Sequence, residues 1–313
     1  MGRVEGSGGA RWWLGVAALC GVATLGCDPD GGPRPLGVRG DATGGLLATH
    51  SPIYDVVFSL ARPDPVAFAL PVCSATLIAP TVLLTAAHCV TAEPGDGSYR
   101  VQDPDAFFVS AGADVEVLRE DLQVVEIAVH PDYIAGSAYR DLAVVVVDDD
   151  ATAFTNGLVM PVARGLGKGY IGLPRGIDLV GHGGTEYPEP FERNEDRGPG
   201  TRLHVPHELA SFGCAAEDPA CDDAAVSLSF DNSPQAGFCG ADLGGPVLLF
   251  RDGGGEPTPV PWQYLQTDSP IPPGGTAEVA GVVSRIVPRD GCRGEGLVAR
   301  VDTAGAFLSP YLR

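Results

Sequence analysis

The sequence predicts an all-β fold, and three observations carry that expectation. Apolar, β-branched stretches of about four to eight residues recur between turn residues, the pattern of sandwiches and barrels. Gly (43) and Pro (28) are abundant in the 313 residues while aromatics make up only 7%, which favours many short elements joined by turns. No stretch sustains a 3.6-residue period except Asp302 to Leu312, where Asp302 is expected to cap a short helix. No repeat of fixed period is present.

The elements follow in order. Strands are expected over YDVVFSL (54–60), SATLIA (74–79), VLLTAA (82–87), FFVSAGA (107–113), QVVEIAVH (123–130) and LAVVVVD (142–148). Further strands are expected over IDLVGHGG (177–184), AAVSLSF (224–230), GPVLLF (245–250), AEVAGVVSRIV (277–287) and LVARV (297–301). Residues 28–45 form a Gly/Pro/Asp tether without periodicity. Two long loops are functional candidates: 187–200, charged and Pro-rich, and 251–279, which carries Trp262 and Tyr264.

Asp and Glu (40) outnumber Lys and Arg (20), a net charge of −20 that repels nucleic acid and anionic membranes. At the N-terminus, Arg3 and Arg11 precede an apolar run from Trp12 to Gly26, short for a membrane span and suited to an export signal over 1–27. The run ends Thr24-Leu25-Gly26-Cys27, which resembles a bacterial lipoprotein cleavage site with Cys27 lipidated; ordinary signal cleavage is the alternative. Export to the periplasm, cell envelope or medium permits disulfides. Of 8 cysteines, Cys20 leaves with the signal and Cys27 is reserved for lipid. Cys73, Cys89, Cys214, Cys221, Cys239 and Cys292 remain, and their pairing is open on spacing alone.

The chemistry-bearing segments are CSATLIAPTVLLTAAHC (73–89), VHPDYIAGSAYRDLAVVVVD (129–148), VGHGGT (180–185), CGADLGGPVLLF (239–250), and GVVSRI (281–286) followed by GCRGEGLVARV (291–301). In this order they resemble the histidine, aspartate and serine segments, and the pocket strands, of the trypsin/chymotrypsin-like serine proteases. The resemblance runs from Ile53 to Leu312. It implies two six-stranded antiparallel β-barrels with a site between them, within a domain over 46–313: barrel one at about 46–160, barrel two at about 161–301, and a C-terminal helix at about 302–312. It implies His88 as general base and Asp141 as its orienting carboxylate. It also implies disulfides Cys73 with Cys89 and Cys239 with Cys292, leaving Cys214 with Cys221 as a local pair.

On the same resemblance the nucleophile position is Leu243, whose side chain has no lone pair for acyl transfer. Loss of the serine from such a triad costs roughly 10⁶-fold in turnover. Ala241 and Leu243 fall on the oxyanion-hole positions, and Ala241 replaces a glycine. Gly237 at the pocket base carries no carboxylate. Among the pocket-wall positions Ser284, Ile286 and Gly296, Ile286 replaces a glycine and narrows the entrance. No Ile-Val-Gly-Gly-like activation terminus is present, so Asp242 is expected to find another partner or stay as in a zymogen.

The expected function is therefore an exported serine protease homologue, impaired or inactive as an endopeptidase, that binds a protein or peptide. Two alternatives stand beside it: an active endopeptidase using Ser227, Ser229 or Ser233, and a purely structural envelope domain. No cofactor and no metal are expected; His204 with His207 and Asp148 to Asp150 are weak metal candidates. A monomer is expected, with membrane contact only through lipid at Cys27.

Overall fold

The computed structural model describes residues 46–47, 52–65, 68–113, 120–183, 201–213, 227–232, 240–259, 274–290 and 293–312. All belong to the unit Arg39–Arg313. The signal, the tether, Cys27 and the 187–200 loop lie outside them, as do Gly237, Trp262, Tyr264 and Cys214, Cys221, Cys239 and Cys292.

The strands are β1 (Leu46–Leu47), β2 (Val57–Asp64), β3 (Phe68–Ala79), β4 (Val82–Thr85), β5 (Thr91–Ala92), β6 (Arg100–Val101), β7 (Phe108–Ala111), β8 (Glu120–Val129) and β9 (Ala143–Val147). The second half holds β10 (Ile177–Gly181), β11 (Leu203–His207), β12 (Ser211–Phe212), β13 (Ser227–Asn232), β14 (Pro246–Arg251), β15 (Thr276–Asp290) and β16 (Arg293–Arg300). The expected strands all fall on these elements, because β-branched stretches fit a pleated, buried surface.

Strands β2-β3-β4-β9-β8-β7 close into a six-stranded antiparallel barrel. β4 is buried along its whole length and β9 nearly so, which explains their continuous apolar runs. Each fully buried Val or Leu contributes about 1.5–3 kcal/mol by leaving water.

The second half is an antiparallel row, β1-β11-β10-β14-β15-β16-β13-β12. β12, at the far end of the row, follows β11 in the chain after residues 208–210. The row exceeds six strands for two reasons. β11 and β12 are two legs of one bent segment, and Leu46 and Leu47, grouped with barrel one in the sequence reading, pair instead with His204 and Leu203 of β11. β11 escaped the sequence pattern because LHVPH contains Pro206, which cannot donate to a ladder. Pro206 lies opposite Asp178 of β10.

Residues 160–163 join the halves: Met160 N–H donates to Leu77 on one side, and Ala163 N–H donates to Val279 on the other. A buried polar cluster adds a second junction. The Tyr54 hydroxyl donates to Asp178 at 2.5 Å and stacks its ring on His204, whose Nδ1 lies 3.1 Å from Asp178. Burial and the Asp178 charge push the Tyr54 phenol well above its ordinary pKa.

The C-terminal helix α1 spans Gly305–Leu308, shorter than the expected 302–312, and Ala304 rather than Asp302 precedes it. Asp302 accepts two hydrogen bonds from Arg300, at 3.0 and 2.7 Å, and one from Leu166 N–H. A two-point guanidinium pair outcompetes a helix cap for a carboxylate.

Candidate active site

His88 sits in a single turn, Ala87–Cys89, immediately after β4, where the chain leaves the barrel wall. Its neighbour Cys89 is bridged to Cys73 of β3, and the disulfide fixes the turn to the strand beside it. Asp141 lies just before β9, which pairs with β4 so that Ala143 faces Thr85. The strand register therefore brings the two segments together. His88 Nδ1 lies 2.7 Å from Asp141 Oδ2, and His88 backbone N–H donates to Asp141 Oδ1 at 2.9 Å.

A carboxylate only accepts, so Nδ1 carries the proton and Nε2 presents a lone pair. The carboxylate is buried, 1% exposed, while the imidazole is 27% exposed on its side chain. Burial opposes charging of His88, but the charge and hydrogen bond of Asp141 outweigh it, and Glu93 adds to them. The pKa moves upward despite Arg285. Ser284 adds a further donor: its hydroxyl meets Asp141 Oδ2 at 2.5 Å. The sequence reading placed Ser284 on the pocket wall; its side chain serves the aspartate.

The loop at Leu243 is built into both halves. Residues Gly240–Asp242 form a 3₁₀ turn, and Leu243 N–H donates back to Gly240 O at 3.1 Å. Leu243 O accepts from Ser74 N–H of β3 at 2.8 Å, and Gly244 N–H donates to Val283 O of β15 at 2.8 Å. Gly244 has φ +82, and a Cβ there would come within 2.4 Å of Thr85 Oγ1 and 3.1 Å of Cys89 Sγ, so only glycine fits. That closeness sets the loop against the residue following His88. The Leu243 side chain is half-buried and packs against both hydrophobic cores.

At position 243 the loop carries a leucine, whose side chain has neither oxygen nor sulfur. His88 Nε2 lies 3.7 Å from Cys89 Sγ, which the disulfide occupies. The Leu243 N–H is turned to the Gly240 carbonyl. Ala241 contributes backbone to the same turn.

Asp242 is buried, and its Oδ1 accepts from Gly183 N–H at 2.5 Å. Gly183 N–H is thus one partner of this carboxylate. Beside it, His182 is fully buried. Its backbone N–H donates to Ser74 Oγ at 2.9 Å, its Nε2 lies 3.1 Å from Gly112 O, and its Nδ1 has no hydrogen-bond partner among the described residues. Burial, with the positive charge of Arg202, lowers its pKa to about 3.

Ile286 is half-buried on β15 opposite buried Gly296 on β16. Ser227 and Ser229 lie in β13, opposite Ala299 and Leu297, away from the loop in sequence. Ser233 falls outside the described residues, as do Gly237 and the second and third disulfide pairs.

Cys73, His88 and Cys89 place ligand atoms within 4.8 Å of one another, but the disulfide takes both thiols and leaves no thiolate ligand. His204 is held by Tyr54 and Asp178, and His207 Nδ1 accepts from Glu208 N–H, so the two do not form a site. Asp148 accepts from Gln123 N–H and Asp150 caps the turn at Thr152, both local structural roles. A concavity of about 440 Å³ is lined by Ile78, Val162, Arg164, Arg251, Glu278 and Leu312, none of them a residue of this site.

Comparison with known proteins agrees with this geometry. The Trypsin family model matches residues 51–188, which include His88 and Asp141. The chain is also similar to Serine protease Hayan of Drosophila melanogaster, 35% identical over 85 residues. That alignment covers 25% of this chain and spans only 12% of the relative's length. Residues 51–188, with their closed barrel and bridged histidine turn, thus match the trypsin-like serine protease family.

Proposed function

We propose that this chain is a serine protease homologue without peptidase activity, acting outside the cytoplasm by binding a protein or peptide at the former catalytic cleft. One observation carries the reading: Leu243 stands where acyl transfer needs an oxygen or sulfur, in a loop anchored to Ser74 and Val283. The inward-turned Leu243 N–H supports it, because no donor at that position is aimed at a developing oxyanion. The Cys73 to Cys89 disulfide suits an oxidising compartment, and export through the segment 1–27 with lipid at Cys27 belongs to the same proposal.

Two experiments test it. The purified protein is expected to remain unlabelled by a fluorophosphonate probe; labelling at Ser227, Ser229 or Ser233 would establish an active enzyme instead. Partner recovery is expected to fall after Trp262→Ala with Tyr264→Ala. Unchanged recovery would remove that loop from the binding surface.

A further inference from the structure

Arg140, immediately before Asp141, is one of few residues other than glycine with positive φ, at 52°. A residue with a Cβ in that left-handed region is costly and persists only where surrounding structure holds it. What holds it lies at the other end of the chain. Arg140 Nη1 donates to Thr303 O at 3.0 Å and to Thr303 Oγ1 at 2.9 Å, bonds that span 163 residues.

The turn they fix is centred on Asp141 itself. Leu142 N–H donates to Arg140 O at 2.7 Å, closing a three-residue turn with Asp141 at its apex, and Asp141 N–H reaches Ala138 O at 3.4 Å. The C-terminal segment grips the same loop elsewhere: Phe307 lies 5.0 Å from the His130 ring, and His130 N–H donates to Leu142 O at 2.9 Å. The Asp141 carboxylate then receives the three donors described above, from His88 N, His88 Nδ1 and Ser284 Oγ.

We infer that Arg140 and Thr303 are positioning residues: they hold the turn at Asp141 from the C-terminal segment and thereby aim its carboxylate at His88. The inference rests on reading His88 and Asp141 as a retained base pair, and it adds what sets that pair's geometry. The groups acting on the imidazole are Asp141, Glu93 and Arg285, with Cys89 beside it; Glu93 is itself engaged by the Tyr133 hydroxyl. Arg140 acts on His88 through Asp141 alone.

The test is an NMR titration of the His88 ring in the full chain and in four variants. Arg140→Met keeps length and the left-handed turn but removes the donors; Arg140→Lys restores a donor and the charge; Thr303→Val removes one acceptor with little change in shape. Asp141→Asn measures the pair directly. The expected result is a fall of about 0.5 or more in the His88 pKa in Arg140→Met. A smaller fall is expected in Thr303→Val and recovery towards wild type in Arg140→Lys. A folded Arg140→Met with an unchanged His88 titration overturns the inference, and if that variant does not fold, an unchanged Thr303→Val does so. A His88 titration insensitive to Asp141→Asn would instead overturn the reading of the pair.

Discussion

The backbone N–H of Ser74 donates to the carbonyl of Leu243 at 2.8 Å, which ties the first barrel to the loop where a nucleophile would stand. The loop is therefore a structural joint between the halves. The Leu243 side chain extends that joint by packing on both cores.

Leu243→Ala removes that shared packing. Because the side chain is half-buried, the expected cost is at the low end for such truncations, about 1–3 kcal/mol. Urea unfolding followed by fluorescence measures it.

Gly244→Ala forces a methyl into a space where Thr85 Oγ1 lies 2.4 Å and Ser74 O 2.5 Å away, at a φ of +82. Both strain and overlap oppose it, and a loss of about 2–4 kcal/mol is expected from the two together. Comparison of unfolding midpoints for Gly244→Ala and wild type gives the value.

Acid should loosen the joint at His182. Its folded pKa of about 3 lies below the ordinary 6.5, so the neutral ring is favoured by folding. The stability it contributes is complete above pH 6.5 and is lost as pH falls from 6.5 towards 3, by about 1.4 kcal/mol per pH unit. His88 works in the opposite sense, since its raised pKa adds stability below pH 6.5 that fades as pH rises through the folded value. Unfolding free energies at pH 7, 6 and 5 for wild type and His182→Gln separate the two: the variant is expected to have the shallower acid loss.

Removing the disulfide by Cys73→Ala with Cys89→Ala frees a loop with a sequence separation of 16. The expected loss is about 3 kcal/mol. Thermal unfolding with and without a reducing agent checks it, because reduction should bring wild type close to the double variant.

Much of this was legible in the sequence, for physical reasons. Strands such as LAVVVVD and VLLTAA are buried on both faces, so they read as continuous β-branched runs. The bracket of Cys73 and Cys89 around His88 made the disulfide and the histidine turn readable together. β11 was hidden by Pro206, and β1 by its brevity, since two residues show no period. The partners of Asp141 were the least visible. Ser284 reaches it across 143 residues, and Thr303 reaches its turn through Arg140 across 163, and neither carries a local pattern that announces the contact. The inward turn of Leu243 N–H likewise depends on loop conformation rather than residue type.

The most direct measurement is peptide hydrolysis by the purified wild-type protein over a broad panel of peptide substrates, with His88→Ala as the blank. With Leu243 in the nucleophile position, wild type and His88→Ala are expected to be indistinguishable and at background. A rate clearly above that of His88→Ala would contradict the account.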